Sequence, residues 1–249
     1  MSTRAPRDLR RTLTRAVRRA AAPLGSVYAV RTGERVVLTY DDGPEPGGTD
    51  AVLAALADAG VHATFFVLVT RARRYPSLLA EVVAAGHEIG LHGIDHRPLP
   101  LFTAREVHRR SADGRAELED RTGRPIRWLR PPYGRLRPGG HVAIRAAGMM
   151  PVLWGPSTRD SVPATPAERI ERAVVTDDGA QVSGGAILLS HDGYAGPDDG
   201  VDDGPAPTFD RGALAAGVIA RYRELGLVAG SLGEAVATGA VRRSATFTG

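Results

Sequence analysis

Short apolar runs alternate along the chain with longer segments in which apolar residues recur every three or four positions. The short runs predict strands, at residues 35–40, 63–69, 87–92, 126–130, 150–155, 186–191 and 227–232. The longer segments predict helices, near residues 49–59, 75–85, 103–122, 138–147, 166–177, 209–224 and 232–238. Strict alternation of strand and helix over this length predicts an α/β fold around a parallel sheet, closed or doubly wound. Seven such units are one fewer than an ideal eightfold barrel has.

The first predicted helix shows how its ends can be read from the sequence. In TDAVLAALADAG, Val52, Leu53 and Leu56 repeat on one face. Thr49 is a candidate N-cap, and Gly60 is a candidate for the left-handed residue that ends the helix. One long connection, residues 192–210, is instead rich in Gly, Pro and Asp. Its acidic spacing does not match an EF-hand, so we expect a solvated loop and not a calcium site.

The composition is that of one large globular domain without cysteine. The chain has 249 residues, 43% of them hydrophobic, which is enough to bury a substantial core. The absence of Cys excludes disulfides, thiolate nucleophiles and zinc fingers. Any metal ion must therefore be held by His and carboxylate side chains. The longest apolar runs fall short of the roughly 18 residues that span a bilayer.

The basic charge is concentrated in an N-terminal arm, residues 1–22, ahead of a predicted barrel domain, residues 23–249. The arm has seven Arg and one Asp, a formal charge of +6 in a chain of net +4, so the remainder carries −2. We therefore expect no nucleic-acid binding by the domain. Leu9, Leu13 and Val17 predict an amphipathic helix that packs on the domain, frays from it, or touches a membrane or an acidic partner. The arm lacks the uninterrupted apolar stretch of a signal peptide, so we expect a cytoplasmic rather than a secreted protein.

Polar side chains recur where the predicted strands end. In a parallel barrel the carboxyl ends of the strands meet at one face, which is where active sites lie. Turn chemistry alone could explain any single one of these residues, but it does not predict that all of them share one end of the sheet. The residues are Asp41, Asp42, His92, His96, Arg130, Tyr133, Asp160 and His191.

The spacing of His92 and His96 allows both imidazoles to reach one point from a single turn, and Asp42 can add an oxygen. Two His and one carboxylate with open coordination positions suit Zn²⁺, Fe²⁺ or a related divalent ion in a catalytic site. A lone His-x-x-x-His pair is weak evidence. Its combination with two Asp at a strand end makes the prediction of a metal centre specific.

The ordered set of motifs resembles the polysaccharide deacetylases, carbohydrate esterases that include chitin, chitooligosaccharide and peptidoglycan deacetylases. The resemblance covers roughly residues 30–240, and the family's fold is a distorted barrel of seven or eight β/α units. It rests on TYDDGP at residues 39–44, HGIDH at 92–96, RPPYG at 130–134 and LSH at 189–191.

The resemblance implies a role for each motif residue. Asp42, His92 and His96 would bind the metal ion, for which we expect Zn²⁺, with Co²⁺ or another divalent ion as alternatives. Asp41 would be the general base and His191 the general acid. Arg130 would orient Asp41, and the backbone N–H of Tyr133 would help to hold the oxyanion. Asp160 is what remains of a fourth motif.

Three positions depart from the family pattern. Gly93 replaces a Ser or Thr whose hydroxyl normally ties the loop together. The fourth motif, usually Asp-x-x-Asp-Trp, reads STRDS here, with Ser157 and Ser161 in the other places. By the resemblance, loss of the Trp removes a large wall of the acetyl pocket or the support of that wall. Trp154 is expected in the core, close to the pocket.

The predicted function is that of a metal-dependent hydrolase that removes an N-acetyl group from an amino sugar or glycan. Cleavage of an acetamide requires an activated water, stabilisation of the oxyanion and protonation of the departing nitrogen. One alternative is a related barrel hydrolase of a non-sugar amide or imide, and another is a non-catalytic glycan-binding barrel. A third makes the arm the main functional feature, as a tether to a membrane or an acidic partner.

Overall fold

The structure is a computed structural model that describes residues 25–176 and 179–245. Among these residues, the main sheet has seven parallel strands, β2 (Arg35–Asp41), β3 (Thr64–Leu68), β4 (Glu88–Gly93), β5 (Trp128–Leu129), β6 (Met150–Pro151), β7 (Ile187–His191) and β8 (Val228–Gly230). They lie in the order β6–β5–β4–β3–β2–β7, with β8 paired to the first half of β2. The predicted parallel α/β fold of about seven units is confirmed.

The helices follow the strands in the predicted order. They are α1 (Thr49–Ala59), α2 (Val69–Arg74), α3 (Pro76–Ala84), α4 (Ala104–Thr122), α5 (Pro138–Ala146), α6 (Pro166–Ala173), α7 (Arg211–Glu224) and α8 (Leu232–Thr238). All seven predicted helices are present, within a few residues at their ends. Helix α2 was not predicted, because its first residue, Val69, continues the apolar run of β3 and hides the change of period.

The ends of α1 are only partly as predicted. Gly60 ends the helix in the left-handed conformation, with φ of 62°, as predicted. The prediction of Thr49 as the N-cap is wrong, because Gly48 occupies that position. The Thr49 hydroxyl instead donates to Asp192 Oδ2 at 2.6 Å, so it joins α1 to the chain that follows β7.

A second, two-stranded antiparallel sheet was missed by the sequence analysis. It pairs β1 (Ser26–Arg31) with β9 (Ala240–Ser244). These segments lie at opposite ends of the described chain, and no helix separates β1 from β2, so the alternation of strand and helix gave no sign of their pairing. Val27 of β1 bridges to Val152, and Ala29 bridges to Ala186, so β1 lies across the gap between β6 and β7.

The chain after β6 also helps to close the sheet. The predicted strand 150–155 is regular only at Met150–Pro151, but its backbone remains paired beyond that point. The Gly155 N–H donates to Ile187 O at 3.0 Å, and the Thr158 N–H donates to Leu189 O at 3.1 Å. Residues 155–158 therefore lie against β7 and complete a distorted barrel.

Alternation along the strands divides the core into two parts. In β2, Val36, Leu38 and Tyr40 pack against the surrounding helices, whereas Val37 belongs to a smaller cluster inside the barrel. Because side chains alternate along a strand, Thr39 and Asp41 point to the same side as Val37. The inner cluster includes Phe66, Trp128, Val152 and Ile187. The apolar interior thus gives way to polar side chains toward the carboxyl ends of the strands.

The basic arm, residues 1–22, lies outside the described residues. Within the described part of the chain, no helix combines the length and apolar character needed to cross a bilayer.

Candidate active site

The eight polar residues predicted from the strand ends come together at one end of the barrel. In register, Asp41 of β2 is paired with His191 of β7. Six of the eight border one cavity of about 400 Å³, and Arg130 and Asp160 lie behind it, each bonded to a residue that faces it. The lining residues are Asp41, Asp42, His92, His96, Tyr133, Trp154, Ser161, Leu189, His191, Tyr194, Ala195 and Asp203.

A backbone turn brings both adjacent carboxylates into this cavity. Strict strand alternation would point Asp41 and Asp42 to opposite faces. Asp42 instead has a positive φ of 75°, which ends the alternation. Tyr133 and Arg159, with φ of 57° and 48°, share this unusual conformation among the described non-glycine residues. All three lie in or beside the site, and such backbone strain is typical of functional positions.

Asp42, His92 and His96 form a buried cluster that fits a divalent metal ion. Asp42 Oδ1 lies 3.3 Å from Nε2 of both histidines, and one ligand atom from each residue falls within 4.8 Å of the others. Asp42 Oδ1 is buried and has no hydrogen-bond partner among the described residues. Burial opposes the charge of Asp42, but the three nearby imidazoles outweigh it and hold its pKa well below the usual range. The donor set of two imidazoles and a carboxylate suits a divalent ion.

A backbone carbonyl behind the cluster sets the orientation of the His92 ring. Its Nδ1 lies 2.9 Å from the carbonyl oxygen of Arg130, so the Nδ1–H donates to that carbonyl. The ring nitrogen that faces Asp42 is then the unprotonated Nε2, as a metal ligand requires. His92 lies in β4 and Arg130 directly follows the neighbouring strand β5, which explains how residues 38 positions apart meet.

Asp41 is held by a buried arginine. Arg130 Nη1 donates to Asp41 Oδ1 at 2.7 Å and to the Thr39 hydroxyl at 2.6 Å, and the Arg130 side chain is fully buried. The guanidinium also packs 4.2 Å from the ring centroid of Phe66 and lies beside Trp154. One oxygen of Asp41 is thus committed to Arg130. Asp41 Oδ2 lies 3.9 Å from His92 Nδ1, beside the cluster.

His191 forms a second charge pair at the cavity. Its Nδ1 lies 2.6 Å from Oδ1 of Asp160, whose other oxygen accepts from the His191 backbone N–H at 3.0 Å. Burial opposes protonation of His191, but the carboxylates of Asp160, Asp42 and Asp41 outweigh it and raise its pKa to about 9. His191 is therefore an imidazolium at neutral pH, with Nε2 left to act on a substrate.

One departure from the family pattern, Gly93, has a structural explanation. Gly93 has φ of 151°, and a Cβ atom there would lie 2.6 Å from the Asp95 carbonyl oxygen, so this turn leaves no room for a side chain. Ser161 lines the cavity where the family pattern has Trp. Trp154, expected in the core, is instead half-buried and forms part of the cavity wall.

The Asp-rich loop, residues 192–210, does not match the prediction of a solvated loop, which is wrong. It is not simply solvated, because Asp192 and Asp199 are buried and Tyr194, Ala195 and Asp203 line the cavity. Burial raises the pKa of Asp192 to about 7, and its Oδ1 has no hydrogen-bond partner in the described part of the chain. A sequence signal existed, since the loop begins directly after His191, but loop composition alone does not reveal burial.

Comparison with known proteins identifies a matching family model and several relatives. The family model for polysaccharide deacetylase matches residues 29–152. A chitooligosaccharide deacetylase of Bradyrhizobium sp. (strain ANU 289) is 35% identical over 172 residues, 68% of this chain and 74% of that protein. The peptidoglycan-N-acetylmuramic acid deacetylase PdaC of Bacillus subtilis is 32% identical over 68% of this chain, which spans only 34% of that longer protein.

Solved structures share the fold. A CE4 family pseudoenzyme from Bacillus anthracis has a TM-score of 0.71 at 21% identity, with 84% of this chain and 68% of that chain covered.

Proposed function

Because this chain belongs to the polysaccharide deacetylase family, we propose that it is a metal-dependent hydrolase that removes the acetyl group from an N-acetylated amino sugar or glycan. The products are acetate and a free amine. The relatives are named as deacetylases of chitooligosaccharides and of peptidoglycan, so these two glycans are the substrate classes to test first.

One observation carries the proposal. Asp41 and His191 border the same cavity as the Asp42, His92 and His96 cluster, and each is paired with an oppositely charged residue behind it, Arg130 and Asp160. A base, an acid and a metal-ligand set are the groups that amide hydrolysis requires. A glycan-binding barrel without catalysis has no need to hold two separate proton-transfer groups in this way.

Zn²⁺, with Co²⁺ or another divalent ion as alternatives, fits the three ligands. The chemistry supplied at such a site is Lewis-acid activation of a water molecule and of the amide carbonyl. Asp42, His92 and His96 would hold the ion, and the carbonyl of Arg130 keeps His92 in the tautomer that would bind through Nε2.

The proton transfers fall to the two charge pairs. Asp41 accepts a proton from the attacking water, while Arg130 holds its Oδ1 in place. The backbone N–H of Tyr133 donates to the oxyanion that develops as the water oxygen adds to the carbonyl carbon. His191 donates a proton to the amide nitrogen as the C–N bond breaks, and Asp160 keeps it charged for that step.

The test is acetate release by the full-length chain. N-acetylated chitooligosaccharides, peptidoglycan and a panel of non-sugar amides and imides are incubated with the Zn²⁺-loaded or Co²⁺-loaded protein, and acetate release from the glycans and loss of each amide or imide are measured. Removal of metal with a chelator should abolish release, and added Zn²⁺ or Co²⁺ should restore it. Asp41→Asn should be inactive yet still bind metal, because Asp42 is unchanged.

The alternatives give different results. Turnover restricted to non-sugar amides or imides would support the rival hydrolase, and glycan binding without acetate release would support a binding protein. Full activity in a metal-free preparation would exclude the proposed mechanism.

A further inference from the structure

The two histidines of the metal-ligand cluster differ in what their other ring nitrogen contacts. His92 Nδ1 has a carbonyl partner, whereas His96 Nδ1 is buried with no hydrogen-bond partner among the described residues. The His96 side chain is only 9% exposed, and its Nε2 faces Asp42. A histidine that binds metal almost always donates its second N–H to a carboxylate, a carbonyl or water. His96 therefore lacks a partner that its role requires.

Asp203, from the Asp-rich loop, is placed to be that partner. Its Oδ2 lies 3.8 Å from His96 Nδ1. A hydrogen bond would need an approach of about 1 Å, which is within the reach of a small side-chain rotation. The Asp203 side chain is 36% exposed, so it has room for this movement.

Two tyrosines hold Asp203 at this point. The Tyr133 hydroxyl donates to Asp203 Oδ2 at 2.5 Å, and the Tyr133 ring packs on His96 with the ring centroids 4.5 Å apart. The Tyr194 hydroxyl donates to the Asp203 carbonyl at 2.9 Å. These contacts, from groups that themselves line the cavity, keep the carboxylate near the imidazole, and a small side-chain rotation brings it within hydrogen-bonding distance.

The base of the loop is joined to His96 as well. Asp199 is fully buried, and its carboxylate accepts from Arg71 and from the Thr70 hydroxyl, each at 2.8 Å. Its carbonyl accepts the backbone N–H of His96 at 2.9 Å. The loop backbone is therefore bonded directly to His96 at Asp199. This anchoring brings Asp203 close to His96.

We infer that Asp203 is a positioning residue of the metal centre, whose carboxylate accepts the Nδ1–H of His96 and so keeps Nε2 as the metal-binding nitrogen. The inference rests on the metal site of the proposed function. It assigns the loop a task in metal binding: a negative charge on the far side of the ring makes His96 a stronger ligand.

Metal affinity tests this role independently of turnover. The metal-free full-length chain is titrated with Zn²⁺ in competition with a chromophoric chelator, and the absorption spectrum of the Co²⁺-loaded protein is recorded. Asp203→Ala should weaken affinity about 10- to 100-fold, the usual effect of removing such a partner, and should change the Co²⁺ spectrum. Asp203→Asn should lose less metal affinity than Asp203→Ala, because the Asn amide oxygen can still accept the hydrogen bond from His96 Nδ1–H.

Asp202→Ala is the matched control, since it removes the same charge from the neighbouring position of the same loop. It should bind metal as the wild type does. Equal affinity in Asp203→Ala and wild type would overturn the inference, and so would an equal loss in Asp202→Ala and Asp203→Ala, which would indicate a general effect of loop charge.

His92→Ala separates this inference from the proposed function. If His92→Ala abolishes metal binding while Asp203→Ala does not alter it, the metal site stands and the role of Asp203 is wrong. If His92→Ala binds metal as the wild type does, the metal site itself is wrong, and the inference fails with it.

Discussion

His191 is the residue whose charge the surrounding structure controls most directly. Its Nδ1 is committed to Asp160, and its pKa is raised to about 9, so the acid form persists through neutral pH and is lost above that value. The chain has no Cys and no Lys, so few other groups lose a proton in this range. The alkaline side of the pH profile therefore reports on His191.

Replacement of the proposed acid gives the first prediction at this scale. His191→Ala should lower turnover about 10²- to 10⁴-fold, the usual contribution of a positioned acid or base, and should flatten the alkaline limb of the pH profile. Metal content, measured by elemental analysis, should stay at the wild-type level, because His191 is not in the ligand cluster. Loss of metal in this variant would make His191 a ligand instead.

Asp160 gives a second prediction, through the pKa of His191. Asp160→Asn removes the nearest negative charge, so the pKa of His191 should fall and the acid form should be lost at lower pH. We expect the alkaline limb of kcat against pH to move down by about one to two pH units. An unmoved limb in a folded, metal-loaded variant would show that Asp160 does not set the ionisation of His191.

At the scale of elements, the Asp-rich loop joins parts of the molecule that the strands leave separate. Arg71 of α2, with its side chain 5% exposed, pairs with Asp199 and with Glu45 and donates to the Tyr194 carbonyl. This network links the turn after β2, helix α2 and the loop after β7. A buried charge that loses its partner is strongly destabilising, so the loop is also part of the stable fold.

The adjacent residues Asp198 and Asp199 test this directly. Asp199→Asn should lower the free energy of unfolding by roughly 3 kcal/mol, the low end for a broken buried pair, because Glu45 still pairs with Arg71. Asp198→Asn, the matched control, should change it by less than about 1 kcal/mol, since the Asp198 side chain is 79% exposed in its pair with Arg74. Denaturant unfolding measures both, and equal effects would contradict the anchoring role of Asp199.

At the scale of the whole molecule, the charges of the arm and of the remaining chain have opposite signs. Residues 1–22 carry +6 and the remainder carries −2, so the basic character of the chain comes from the arm. The cavity is bordered by described residues from position 41 onward. We therefore expect catalysis to depend on the remaining chain and any electrostatic attachment of the protein to depend on the arm.

Deletion of residues 1–22 should leave turnover of a small soluble N-acetylated substrate unchanged. Binding to anionic vesicles or polymers should fall, and the binding of the full-length chain should weaken steeply with added salt, because exposed charges are screened. Kinetics on a small substrate and vesicle sedimentation at two salt concentrations measure these effects. If a folded deletion variant loses turnover on the small substrate, the arm is part of the active site and the boundary at residue 22 is wrong.

The order of elements and the end of the sheet that carries the chemistry could be predicted from the sequence because both depend on local periodicity. Short apolar runs placed the strands, and Asp41, Arg130 and His191 were recognisable as polar residues at strand ends. Parallel pairing then requires those ends to meet at one face. The resemblance of four short motifs supplied the roles proposed for these residues.

Contacts between segments distant in sequence depended on the tertiary structure. The pairing of β1 with β9, the left-handed turn at Asp42, and the placement of Asp203 beside His96 leave no periodic trace. Burial of Asp199 likewise required Arg71, which lies 128 positions away in the sequence. The sequence by itself determined which elements form and which of their ends are polar, since those follow from neighbours along the chain. Only the tertiary structure decided which carboxylates face a histidine, an arginine or solvent, because that depends on residues brought together by packing.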